Sequence, residues 1–150
     1  MWVIWNKLIP FGGFEAMAVW PFVFVRRDKD ITARDIRHEK IHGAQQLELL
    51  LVGFFITAVL AAIGCGWWSL LALPLFYWAY CICWIIELGR CLKDKERGQA
   101  SIQYKPRNLW HRVEHSIIFE REAYSMEGDE VYLKHRPWFA WTEYIGVKPV

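Results

Sequence analysis

Between Leu49 and Ile86 the chain contains no Asp, Glu, Lys, Arg or His. That absence excludes the usual water-facing helix, which carries polar residues on one side along its length. As a single helix the stretch would be about 57 Å long at ~1.5 Å per residue, against a hydrocarbon core of about 30 Å. One pass is therefore too few, and two passes fit. The alternative is a hairpin buried in a soluble core, but 150 residues offer little core in which to hide two all-apolar helices.

Other absences narrow the field. Cys65, Cys81, Cys83 and Cys91 form no C-x-x-C pair, so a structural Cys-zinc site lacks its spacing, and they read as buried, unpaired thiols. The formal net charge is only +2, and no basic cluster coincides with an RNA- or DNA-binding motif, so nucleic acid is not an expected partner. Met1 to Pro10 has neither a basic leader nor a small-residue cleavage site, unlike a cleaved signal peptide. No internal repeat or low-complexity tract appears, and the length suits one domain spanning residues 1–150.

What is present is segregated. Charged residues make up 23% of the chain, near the soluble average, so charge is displaced to the two ends rather than missing. Gly64-Cys65-Gly66 supplies a turn between a first pass of about Leu49 to Ile63 and a second of about Trp67 to Ile86. Trp67 and Trp68 follow the turn, and indoles favour the membrane interface. Pro74 predicts a kink in the second pass. The first pass is short; extension by the preceding helix, local thinning of the bilayer or a re-entrant hairpin would each accommodate it. All 18 Lys and Arg residues lie outside the apolar run, which predicts both termini in the cytoplasm. The expected location is an inner membrane of bacterial type, with the lipid bilayer as a partner. The sequence leaves the oligomeric state open.

Outside the run, Phe14 to Val25 reads as one or two short strands, with Pro21 at an edge or turn. Thr32 is a candidate N-cap for a helix from Ala33, with Asp35 in its first turn. With no proline until Pro74, that helix is expected to continue into the apolar run. Arg90 to Arg107 reads as a polar loop and Trp110 to Met126 as one helix. Glu127-Gly128-Asp129 marks a break, and Pro137 begins a last aromatic helix with Trp138, Phe139, Trp141 and Tyr144 along the membrane surface. Glu87 is expected to snorkel to the interface. The fold expected is mainly α, with a short N-terminal β-hairpin or edge strand.

The chemistry-bearing string is His38-Glu39-Lys40-Ile41-His42. Histidines at i and i+4 share one helix face, so both imidazoles reach one zinc ion, and Glu39 beside them suits a general base. Zinc lowers the pKa of a coordinated water toward ~7. Catalytic zinc takes three protein ligands and keeps a position open. Phe119-Glu120-Arg121-Glu122-Ala123-Tyr124 offers two acids on a second helix. The rival string His111-Arg112-Val113-Glu114-His115 has the inverted H-x-x-E-H order, but it leaves His38, Glu39 and His42 unexplained. Gln45 and Gln46 either line the cleft or serve solvated or capping roles, and His135 reads as a surface residue.

His38-Glu39-Lys40-Ile41-His42 followed by Glu120-x-x-Ala123 resembles the gluzincin metallopeptidases, and is most similar to the HtpX-type and CAAX-prenyl-protease-type membrane families. Those families place a transmembrane hairpin between the two motifs. The string His38 to Gln46 and the string Phe119 to Tyr124 also look like a group of small bacterial proteins. The resemblance implies zinc as cofactor, with His38, His42 and Glu120 as ligands and Glu122 as the alternative to Glu120. It implies peptide-bond hydrolysis with Glu39 as base, on a peptide or membrane-protein substrate; with His42 about 10 Å of helix before Leu49, the site is expected at or near the cytoplasmic membrane surface. Tyr124 stands where the families have Asp or Asn, so its hydroxyl is the candidate partner for a ligand histidine. Tyr124, His111 and His115 are candidates to stabilise the oxyanion. The resemblance covers neither the N-terminal strands nor the extra helices of the larger enzymes. The competing readings are a non-enzymatic membrane scaffold or accessory protein, and a zinc-binding protein without catalysis.

Overall fold

The computed structural model describes residues 1–10, 14–96 and 109–146. It is mainly helical, with one small sheet at the N-terminal end. Strands β1 (Trp2–Asn6), β2 (Ala16–Val19) and β3 (Phe22–Arg26) form a three-stranded sheet in the order β1-β3-β2. Pro21 lies in the turn of the expected β2-β3 hairpin, where its missing N–H costs no ladder bond. No local signal announces β1, which pairs parallel to β3 from Trp2↔Phe22 to Asn6↔Arg26.

Helix α1 (Ala33–Ala62) starts at the expected cap: Thr32 and Asp35 form a reciprocal capping box. It continues without interruption into the apolar run and ends where Gly64 and Gly66 take positive φ. The apolar helix expected from Trp67 to Ile86 is not formed as such. Residues Gly66–Ala72 are a 3-10 segment, and helix α2 (Leu75–Glu96) starts only after Pro74. Proline lacks the N–H a helix interior needs but is tolerated at a helix start, and the Pro74 carbonyl accepts from the amides of Tyr77 and Trp78.

The return from the turn runs antiparallel to α1. Thr57 Oγ1 donates to the Ser69 carbonyl, Gly53 faces the Ala72 carbonyl, and Leu49 shares a buried cluster with Phe76. A Cβ on Gly53 would collide with the Ala72 oxygen, so only glycine allows this approach. Helix α2 runs on past Ile86, so the expected loop from Arg90 is helical up to Glu96; 97–107 lie outside the described residues. Glu87 does not snorkel. It is buried, with Arg90 at 2.6 Å and Arg121 at 3.9 Å.

The helix expected over Trp110 to Met126 is two, α3 (Leu109–Ser116) and α4 (Ile118–Met126), broken where Ile117 is extended. Ile117 is fully buried in the cluster with Leu49, Phe76 and Phe119, and this break re-aims α4 across α1. A short helix α5 (Tyr132–His135) follows, with His135 exposed as expected. The last aromatic segment is a 3-10 turn, Ala140–Tyr144, not a surface helix. Its Trp141 turns inward, 5.1 Å from the Phe119 ring, and donates to buried Glu48. Cys65, Cys81 and Cys83 are free thiols, but of the four cysteines only Cys91 is buried; Cys81 lies exposed on α2. An apolar run predicts burial for the others, yet this run faces outward.

Candidate metal centre

α1 and α4 cross so that His38, His42 and Glu120 meet. The two Nε2 atoms are 3.1 Å apart; His38 Nε2 lies 3.2 Å from Glu120 Oε2 and His42 Nε2 3.2 Å from Glu120 Oε1. Zinc with bonds of about 2.0–2.1 Å in tetrahedral geometry separates its ligand atoms by about 3.3 Å, so the spacing suits a small divalent cation. Among the described residues this is the only group of three His, Cys, Asp or Glu side chains whose ligand atoms converge in this way.

The outer nitrogens are already engaged. His38 Nδ1 is 2.8 Å from Glu127 Oε2, while Arg34 holds the other oxygen of Glu127 at 2.6 Å. His42 Nδ1 is 2.8 Å from the side-chain amide oxygen Oε1 of Gln45. Both partners accept, so both Nδ1 atoms carry a proton, and each ring, when neutral, presents a bare Nε2 to the centre. Two lone pairs and a carboxylate then face one another. Among the described residues, Glu120 Oε2 is buried without a hydrogen-bond donor, and Oε1 accepts from the Tyr80 hydroxyl, at 2.8 Å, beside the histidines. Such a pocket demands positive charge at its middle, and this donor set fits a zinc ion.

A proton on His42 answers the same demand for positive charge. Burial pulls the His42 imidazole down, but the charge and hydrogen bonding of Glu120 outweigh it and its pKa rises to about 9. Glu120 is opposed by its own burial, yet the two histidines hold its carboxyl well below the usual range. Glu39, one residue from His38, shifts the other way: burial lifts its carboxyl above the usual range, against the pull of His42 and His38.

Not every expected role falls where the sequence placed it. Glu122 is fully buried, but its oxygens are taken by Arg136, Tyr132 and Gln45, and it is Glu120 that meets both histidines. Tyr124 touches His38 through its ring, at 4.6 Å between centroids, while Glu127 takes the Nδ1 position expected of the Tyr124 hydroxyl. His111 and Glu114 approach to 3.8 Å, and the His115 ring stacks on Tyr124 at 3.9 Å, which sets the rival motif on the rim beside the centre. Gln45 and Gln46 are both buried. Gln46 bridges β2 and α1, accepting from the Trp20 amide and donating to the Ala18 carbonyl.

Glu127, Gln45 and Tyr80 are partners that sequence reasoning did not assign. Glu127 was legible only as the first residue of a break, and Tyr80 only as part of an apolar run. Comparison with protein-family models, with curated proteins and with solved structures finds no match for this chain.

Proposed function

We propose that the chain is a membrane-embedded zinc peptidase of gluzincin type, with His38, His42 and Glu120 as ligands and Glu39 as general base. The observation that carries this is the convergence of three ligand atoms, with both histidines turned inward by acceptors behind them. Zinc, when bound, supplies an acidified water and polarises the scissile carbonyl. Glu39, whose carboxyl burial lifts above its usual range, takes a proton at its carboxylate and returns it to the leaving nitrogen. Tyr124 and His115, stacked at the rim, are the nearest candidates to donate to the developing oxyanion.

A place for an extended peptide lies alongside. β2 is an edge strand. The Arg26 amide bonds the Glu15 carbonyl, so Glu15, Met17 and Val19 face β3, while Ala16 and Ala18 turn their backbone groups outward. Ala18 is beside Glu39, whose carboxylate its amide stabilises. Glu39 and Gln46 already hold the amide and carbonyl of Ala18, so a substrate strand added at this edge would pair at Ala16 and end beside the base.

Membrane insertion is part of the same proposal. α1 and α2 are long and apolar enough to cross a bilayer, and only 28% and 17% of their most apolar windows are buried inside the protein. A soluble core helix would show the reverse. Trp67 and Trp68 are 87% and 77% exposed at the far turn, a position that suits interfacial indoles. The near end of the run carries the cations, which favours both termini on the cytoplasmic side. Tyr80 bonds Glu120, and the outward face of α2 stays apolar through Trp78, Ile82, Ile85 and Ile86. The centre therefore lies level with lipid-facing side chains, about 10 Å of helix inside Glu87. That depth favours the membrane-proximal segment of an anchored protein or peptide as substrate.

The test uses the full chain in lipid nanodiscs, with metal analysis and unfolded β-casein as a probe peptide. The expected result is about one zinc per chain and slow cleavage. Glu39→Gln keeps the zinc and loses cleavage by at least about a hundredfold, and Ala16→Pro, which removes an outward N–H, slows cleavage with zinc unchanged. A wild-type protein without zinc sinks the proposal. Zinc with cleavage unaffected by Glu39→Gln leaves a binding site without this mechanism.

A further inference from the structure

We infer that Gln45 is a positioning residue that fixes His42 in the tautomer able to bind a metal through Nε2, and that Glu122 and Arg136 fix Gln45; this rests on the zinc reading above. Gln45 is fully buried. Its amide nitrogen donates to the Phe119 carbonyl and to Glu122 Oε2, both at 3.0 Å. Both amide hydrogens are thereby used, on groups that only accept. Inverting the amide would put its oxygen against two other oxygens. The oxygen is therefore held toward His42 Nδ1, at 2.8 Å, where it can only accept, and the imidazole proton is held on Nδ1. The bare Nε2 is the atom that faces His38 and Glu120.

The anchor behind Gln45 is built to stay put. Arg136, with its side chain only 5% exposed, donates to Glu122 from Nε at 2.5 Å and from Nη2 at 3.1 Å. The same guanidinium bonds Glu48, one turn beyond Gln45 on α1. Tyr132 adds a hydroxyl donor to Glu122 at 2.9 Å. With donors on its other sides, Glu122 is left an acceptor toward Gln45. The line Arg136–Glu122–Gln45–His42 thus mirrors Arg34–Glu127–His38. Each histidine is turned by an acceptor that an arginine holds from behind, directly for His38 and through Glu122 for His42.

Two measurements on the full chain in nanodiscs test this. In the first, zinc-loaded wild-type protein with 15N-labelled histidine is read by NMR. His42 should bind through Nε2 and carry an exchange-protected proton on Nδ1; coordination through Nδ1 overturns the inference and needs no variant. In the second, cobalt and zinc dissociation constants are obtained by competition. Gln45→Met keeps the shape and removes the acceptor, and should weaken binding about tenfold to a hundredfold. Gln45→Glu, able to share a proton with Glu122 and still accept from His42, should restore most of the loss. A folded Gln45→Met that binds within about threefold of wild type shows Gln45 to be mere packing. Loss of thermal stability with unchanged affinity shows the same. A wild-type protein that binds neither ion fails differently, because it removes the zinc centre itself.

Discussion

The two halves of α1 are built inside out relative to each other. From Ala33 to Glu48 the helix buries polar side chains, His42, Gln45, Gln46 and Glu48; the last three have hydrogen-bonding partners on other elements, and His42 faces Glu120. From Leu49 to Ala62 it exposes apolar ones, with Leu51, Phe54, Phe55 and Val59 facing out. One continuous helix therefore combines a half with a buried polar face and a half with an exposed apolar face. In the first half the side chains that matter point into the protein and are polar, which the proposed zinc centre would account for. In the second the side chains that matter point away and are apolar because nothing among the described residues covers them. The change falls at Glu48, which accepts from Arg136, from the Phe139 amide and from the Trp141 indole. A carboxylate at the head of an apolar run would be costly without such donors.

The largest expected effect comes from reversing the second half. Leu51→Lys with Phe55→Lys sets two cations one turn apart on the exposed face, and each costs about 2.5–3.5 kcal/mol near the centre of a membrane helix. The double variant should be lost from the membrane fraction after alkaline extraction, whereas Leu51→Phe with Phe55→Leu should stay. If the lysine variant remains folded and soluble in buffer, the outward face is not a lipid face, and the contrast between the halves loses its cause.

A smaller effect is expected from loosening the first half. Glu127→Ala removes the acceptor behind His38 and leaves Arg34 and the ring without their shared partner. Zinc affinity should fall about tenfold to a hundredfold, with membrane insertion unchanged. Equal affinity would mean that His38 is held by α1 alone and that the burial of polar groups in this half has little to do with an ion.

The contrast also explains what the sequence could and could not disclose. Local signals were legible. Thr32 with Asp35 marked the helix start, Gly64 with Gly66 marked the turn, and the i, i+4 histidines with an acid at Glu120 or Glu122 pointed to the side chains that converge. Each of these depends on spacing along one segment. Pairing between distant segments was not legible. Nothing near Trp2–Asn6 announces a parallel partner twenty residues on. Arg136 reaches Glu48 across 88 positions, and a lone arginine in a tail carries no mark of its partners. Ile117 breaks α3 from α4 with neither Gly nor Pro, because its burial, not its backbone preference, decides the turn. The uniform apolar run hid its own division, since an outward-facing 3-10 leg and an outward-facing helix here carry the same apolar residues; only Pro74 recorded where α2 begins.

The smallest expected effect isolates what the start of α1 contributes. Thr32 Oγ1 accepts from the Asp35 amide at 3.3 Å, and Asp35 accepts from the Thr32 amide at 2.8 Å. Thr32→Ala removes half of this box and should cost about 1 kcal/mol. That is roughly a fivefold change in local opening, visible as faster exchange of the first-turn amides such as Ile36, which bonds the Thr32 carbonyl. The fraying should stop before His38, because Arg34 and Arg37 both tie the first turns to Glu127, Arg34 to its carboxylate and Arg37 to its carbonyl. Zinc affinity should therefore change less than about twofold. A tenfold loss in Thr32→Ala would reverse the assignment: the cap, not the Glu127 contact, would be what holds the first histidine in place, and the first half of α1 would owe its order to its own end rather than to the helix packed across it.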